Sequence, residues 1–133
     1  MANVFVCEIN KRIGAYYALS TGGVAHNIVP VRITKGVANH PIPVVILTRF
    51  AVDVEYQGVG LGRAMLRDAL LRVSGAAAEI GVRALLIHAK DQIAKAFYLA
   101  CAEFEESPTD SLHLFLLMKD LRKAISDVDS AFA

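Results

Sequence analysis

Residues 52–66, VDVEYQGVGLGRAML, constrain the fold of this chain more than any other stretch. Three glycines, Gly58, Gly60 and Gly62, stand there at alternate positions. Ahead of them runs VVILTRFAV (44–52), nearly continuous in apolar residues, as in a strand buried on both faces. Behind them Leu61, Met65, Leu66, Ala69, Leu70, Val73, Ala77 and Ile80 recur at helical spacing, with Arg63, Arg67, Asp68, Arg72 and Glu79 on the other side. A doubly covered strand that passes through a glycine turn into a long amphipathic helix calls for layered α/β architecture.

The flanking sequence fills in the layers. NVFVCEI (3–9) and IGAYYALS (13–20) are β-branched and aromatic and read as a hairpin around the polar NKR (10–12). Residues 21–43, with glycines and three prolines, read as a loop. The long helix over 61–80 carries a possible break at Gly75, where glycine costs about 1 kcal/mol relative to alanine, and Gly81 suits its C-terminal end. VRALLIHA (82–89) is a second buried strand. DQIAKAFYLACAEF (91–104) is a helix capped by Asp91, and LHLFLLM (112–118) is the last strand. The tail from 119 starts as a short polar helix. Helices join strands only in the second half, so the sheet is mixed. With 133 residues, no repeat and no linker, residues 1–133 read as a single domain.

Known phosphate loops can be tested against the glycines position by position. A G-x-G-x-x-G/A fingerprint fails at Arg63 when counted from Gly58 and at Met65 when counted from Gly60. A Walker loop fails for want of its Lys-Ser/Thr pair. Q-x-x-G-x-G before a helix remains. The first amide N–H groups of a helix lack partners, its dipole is positive there, and glycine lets a ligand approach the backbone. Arg63 could add a charged contact. The same residues also suit a plain strand-to-helix turn.

Composition narrows the class. Hydrophobic residues make up 55 % of the chain, ample for one core, and the net charge of +1 does not mark a nucleic-acid binder by itself. Cys7 and Cys101 read as separate free thiols. No run reaches the roughly 18 apolar residues of a membrane span, so the expected setting is cytoplasmic with no membrane partner. His26, His40 and His113 are scattered and lack metal-ligand spacing, so no metal site is expected. His88 reads as an edge residue at a strand end that could touch a ligand.

LTRFAVDVEYQGVGLGRAML resembles motif A of the GNAT N-acetyltransferases. The likeness extends through IGAYYALS, PIPVVILTRFAVD and VRALLIHAKDQIAKAFYLACAEFEESPTDSLHLFLLM, from about residue 3 to 120, to the TacT/AtaT-like toxins of toxin–antitoxin pairs. It implies a GNAT fold, a mixed and mostly antiparallel sheet flanked by helices, here lacking the usual first strand and two helices. It implies acetyl-CoA as cosubstrate, its pyrophosphate on the amides of Gln57, Gly58, Val59, Gly60, Leu61, Gly62 and Arg63. Its pantetheine would lie along Phe50, Ala51 and Val52, with an N–H near Val52 polarising the thioester carbonyl. Tyr98, second of the FY pair, matches the family's general acid for the departing thiolate.

The resemblance further implies aminoacyl-tRNA as acceptor, acetylated on its amino group. It also implies a ribbon-helix-helix antitoxin, and apolar surface left uncovered by so short a chain is expected to make a homodimer or antitoxin contact. Arg32, Lys35, Arg49, Lys90, Lys95, Lys119, Arg122 and Lys123 are candidates for a phosphate-binding surface. Glu55 is a base by position alone, and loss of the amine proton to water is equally open. Ala102 and Glu103 stand where many relatives carry a Gly before the Phe. Two other readings stay in view: a GNAT acting on a small-molecule or protein amine, and an inactive acyl-CoA-binding or antitoxin-binding module.

Overall fold

A computed structural model describes residues 2–34 and 41–130. Its strands are β1 (Asn3–Ile9), β2 (Arg12–Val24), β3 (Ile42–Val52), β4 (Ala84–His88), β5 (Glu105–Glu106) and β6 (His113–Leu117). Its helices are α1 (Val31–Thr34), α2 (Leu61–Ile80), α3 (Gln92–Cys101) and α4 (Leu121–Ser130). One six-stranded sheet runs in the order β1-β2-β3-β4-β6-β5. All neighbours are antiparallel except β3 and β4, which run parallel with α2 as their crossover.

The doubly buried strands explain the two-layered core. On β3, Val45 and Leu47 face one side while Val44 faces the other. β4 and β6 alternate in the same way: Leu85, Ile87, Leu114 and Leu116 on one face, Ala84, Leu86, Phe115 and Leu117 on the other. The first face is covered by Leu66, Leu70 and Val73 of α2, Tyr98 and Cys101 of α3, and Leu121, Ala124 and Val128 of α4. Val29 and Ile33, the latter on α1, cover the second face. Each fully buried leucine contributes about 2–3 kcal/mol of transfer free energy.

Several boundaries differ from the sequence reading. β2 runs on to Val24, although 21–43 reads as a loop. Gly22 and Gly23 permit this because a Cβ on either would meet Ile46 at 3.1 Å or Pro41 at 2.9 Å, so their bareness lets β2 lie close to the start of β3. α1 also falls within that stretch. α2 passes through Gly75 without a break and is closed after Ile80 by Gly81, whose φ of 66° is left-handed and whose N–H donates to Ala77 O at 3.1 Å. α3 stops at Cys101, and Ala102 continues in extended backbone, φ −161°, which needs no glycine. The tail helix α4 is amphipathic rather than polar, because Leu121, Ala124 and Val128 are buried. The two-residue β5, paired with β6, is too short to leave a periodic signal.

Candidate active site

β3 and β4 stay together for four rungs only, Val44–Leu47 against Ala84–Ile87. Beyond Leu47, among the described residues, β3 is paired on its β2 side alone, up to Val52 against Ala15. A bulge drives the parting. Ala18 pairs with Thr48 and Tyr16 with Ala51, so β3 carries one more residue than β2 across this interval. Arg49 absorbs the excess with φ 52°, a left-handed conformation that costs a non-glycine residue about 1–2 kcal/mol. The result is a fork whose β3 lip is Thr48–Val52 and whose β4 lip begins at His88.

The glycine loop closes the far end of the β3 lip. Asp53 accepts from Glu55 N at 2.9 Å and fixes a 3-10 turn over Val54–Tyr56. Gln57 turns its side chain back, Nε2 donating to Val52 O at 3.0 Å, and so ties the loop to the strand it leaves. Gly58 and Gly60 have φ of 81° and 87°, so these two positions require glycine for conformation. Gly62 is needed for space: a Cβ there would stand 3.3 Å from the Phe97 ring. Gly60 ends the loop at the start of α2 with no side-chain cap, and the first helical bond is Ala64 N to Gly60 O at 3.1 Å. The amides of Leu61, Gly62 and Arg63 precede that bond, in the row that suits an anion. The Arg63 side chain is engaged with Cys101, whose thiol burial pushes up and Arg63 pulls down.

α3 brings Tyr98 to the same place. Asp91 caps the helix by accepting from Ala94 N at 2.8 Å, and Lys95 is buried in an ion pair with Glu106 of β5. Tyr98 is 3 % exposed, its ring edge-on to Phe50 at 5.7 Å and to Phe97 at 5.4 Å. Burial, and secondarily Cys101, push its phenol well above the usual tyrosine value. It is therefore a neutral O–H donor throughout the physiological range. Among the described residues its hydroxyl has no hydrogen-bond partner, while no sealed-off polar side-chain atom lacks one.

The site thus gathers Phe50 and Tyr98 in ring contact, with Gly62 reaching the same cluster through Phe97 and Val52. It does not gather the basic residues. Arg32 is held by Glu105 and Asp120, Lys95 by Glu106, and Lys123 by Glu103 and Asp127. Lys35 and His40 lie outside the described residues. Arg49, Lys90, Lys119 and Arg122 have no ion pair among the described residues, and of these Arg49 belongs to the β3 lip and Lys90 follows His88. Glu55 pairs with Arg12 at 3.3 Å. Sequence reasoning passed over the most distinctive pair at the fork, His88 and His113, whose rings stack at 4.3 Å. Two clefts lie elsewhere, one of about 590 Å³ beside Arg72 and Gly75 and one of about 540 Å³ between Arg32 and Lys123.

No family model matches the chain. A tRNA-acetylating toxin of Mycobacterium tuberculosis (strain ATCC 25618 / H37Rv) is 49 % identical over 123 residues, 92 % of this chain and 73 % of its own length. Among solved structures, a mutant of KacT superposes with TM-score 0.79 at 27 % identity, over 92 % of this chain and 73 % of that one. AtaT complexed with acetyl-methionyl-tRNAfMet gives TM-score 0.78 at 24 % identity, over 92 % and 73 %. AtaTR bound with acetyl-CoA gives 0.73 at 23 %, over 92 % and 72 %.

Proposed function

Because the chain belongs to the tRNA-acetylating toxins, which are of GNAT type, we propose that it transfers acetyl from acetyl-CoA to the amino group of aminoacyl-tRNA and so blocks translation. The observation that carries this reading is the fork: an unpaired strand edge that ends in an uncapped glycine turn, with a neutral tyrosine against its Phe50.

Each part of the fork takes one task. The backbone amides from Gln57, Gly58 and Val59 through Gly60, Leu61, Gly62 and Arg63 hold the pyrophosphate at the positive end of α2. Phe50, Ala51 and Val52 offer the pantetheine amides a strand edge. An N–H near Val52 polarises the thioester carbonyl. Tyr98 gives its proton to the departing thiolate, as the likeness to GNAT enzymes implies.

Residues 1–133 act as one domain in this reading, supported by two apolar clusters packed on two faces of one sheet. Its setting is the cytoplasm, and no described helix is long and apolar enough to cross a membrane. A ribbon-helix-helix antitoxin is the expected partner. Val4, Val6, Ile13 and Tyr16, exposed on β1 and β2, support an antitoxin or homodimer contact there.

The test is purified protein with labelled acetyl-CoA and bulk aminoacyl-tRNA, scored for N-acetylated product. Tyr98→Phe is expected to lower kcat about 10²-fold or more while acetyl-CoA affinity, read by calorimetry, stays within about threefold. Product on small amines but none on tRNA would overturn the acceptor, and an undiminished Tyr98→Phe would overturn the acid.

A further inference from the structure

β4 meets β3 for the last time at Ile87, and the next residue, His88, stands on the opposite lip of the fork with β6 as its neighbour. By strand alternation its side chain shares the face of Leu86 and Phe115, the face away from α2, α3 and α4. Tyr98 belongs to the other face. A thioester carbon lying in the fork would therefore have a proton donor on one side of the sheet and an imidazole on the other. His88 is paired with His113 across β6, and the two rings are nearly parallel, 16° apart. Asp110, in the turn ahead of β6, lies 3.4 Å from His113 Nε2.

This arrangement divides the work between the rings. Two stacked imidazoles do not both carry charge readily, and the Asp110 carboxylate lies against the His113 ring. Loss of water around the ring, then charge on His113, hold His88 below the usual histidine value, with Asp110 opposing. Lys90 and Asp91 follow on its own chain, and Arg49 stands on the β3 lip. That direction favours the neutral ring, and His88 is exposed.

Building on the proposed acetyl transfer, we infer that His88 is the general base, taking the proton of the attacking amine, and that His113 and Asp110 are its positioning residues. As the amine nitrogen bonds to the acetyl carbon, one N–H proton passes to an imidazole nitrogen of His88. As the C–S bond breaks, the sulfur takes the Tyr98 proton. Solvent then takes the proton from His88 and returns one to Tyr98, so the net products are an N-acetyl amide and free thiol.

The experiment measures kcat and KM from pH 5 to 8 with bulk aminoacyl-tRNA at saturating acetyl-CoA. Ionisation of the acceptor amine enters every profile alike, so the differences between variants are what is read. His88→Gln should lower kcat about 30-fold or more, leave both KM values within about threefold, and remove its part of the acid limb. Imidazole in the buffer should restore part of the rate to His88→Ala. His113→Asn removes a cause that lowers the His88 value, so the acid limb should move to higher pH. Asp110→Asn removes the cause that raises it, so the limb should move to lower pH, while the Asn side chain still accepts from Leu112 N, now at 2.9 Å from Asp110 Oδ1. Melting curves check folding, and if His88→Gln melts early the two opposite displacements carry the test. An unchanged rate and limb in folded His88→Gln, or displacements in the same direction, would overturn the inference and leave the proposed function standing. A wild type that makes no N-acetylated product would remove both.

Discussion

At the scale of single residues, burial holds two tyrosines neutral. Tyr98 is raised by burial first. Tyr17, fully buried, is raised by burial and by donating to Asp68 Oδ2 at 2.5 Å. The sign sets the pH dependence. A phenol raised in the folded state stabilises the fold below the unfolded value near 10 and is lost only at higher pH. The rate should therefore show no Tyr98-derived fall between pH 8 and 9.5, a window open to stopped-time assays. Asp68 also accepts from Arg72 at 3.1 Å. Tyr17→Phe removes one hydrogen bond and leaves that ion pair, at about 1 kcal/mol. Asp68→Ala strands a buried hydroxyl and should cost about 2–3 kcal/mol in urea unfolding. At this scale the sequence was only partly legible. The glycine spacing marks the loop, yet it cannot separate Gly58 and Gly60, needed for φ, from Gly62, needed for the Phe97 ring. Lys95 read as a surface cation because burial by Glu106, eleven residues on, leaves no local trace.

At the scale of elements, periodicity worked where one chemistry runs the length of the element. β1 and α2 match the sequence reading end to end, since each keeps one repeat throughout. β2 is misread past Ser20 because its last turn of pairing depends on β3, far along the chain, rather than on its own side chains. The Arg49 bulge is invisible in sequence for the same reason. A glycine there would announce it, whereas arginine does not. The unbroken α2 yields a prediction of its own. A Cβ on Gly75 would meet nothing within 4 Å, so Gly75→Ala should stabilise the protein by about 0.5–1 kcal/mol. Thermal melting should then rise by about 2–4 °C for each kcal/mol in a chain near this size.

At the scale of the whole molecule, the charge budget limits how an anionic acceptor is held. The net charge is +1 and three of the eight basic candidates are committed to ion pairs. Arg49, Lys90, Lys119 and Arg122 are left as phosphate contacts among the described residues. With about 0.7–0.9 counterions released per contact, these four alone would give log affinity for aminoacyl-tRNA against log salt a slope of about −3 to −4. Arg49→Ala should flatten that slope by about 1, as filter binding at several salt concentrations would show. The family likeness was legible in sequence at this scale, because it rests on colinear segments rather than on any one contact. Which cations are free was not, because pairing joins distant segments, as Arg32 does with Asp120.

The short parallel ladder has a mechanical meaning. The sheet is two stiff plates, β1–β3 and β4–β6, stitched along their strands by four rungs. A strand-like guest in the fork continues the same seam past its torn end. Binding would then also be mending, with the guest strand extending the one parallel seam of the sheet at the place where it works.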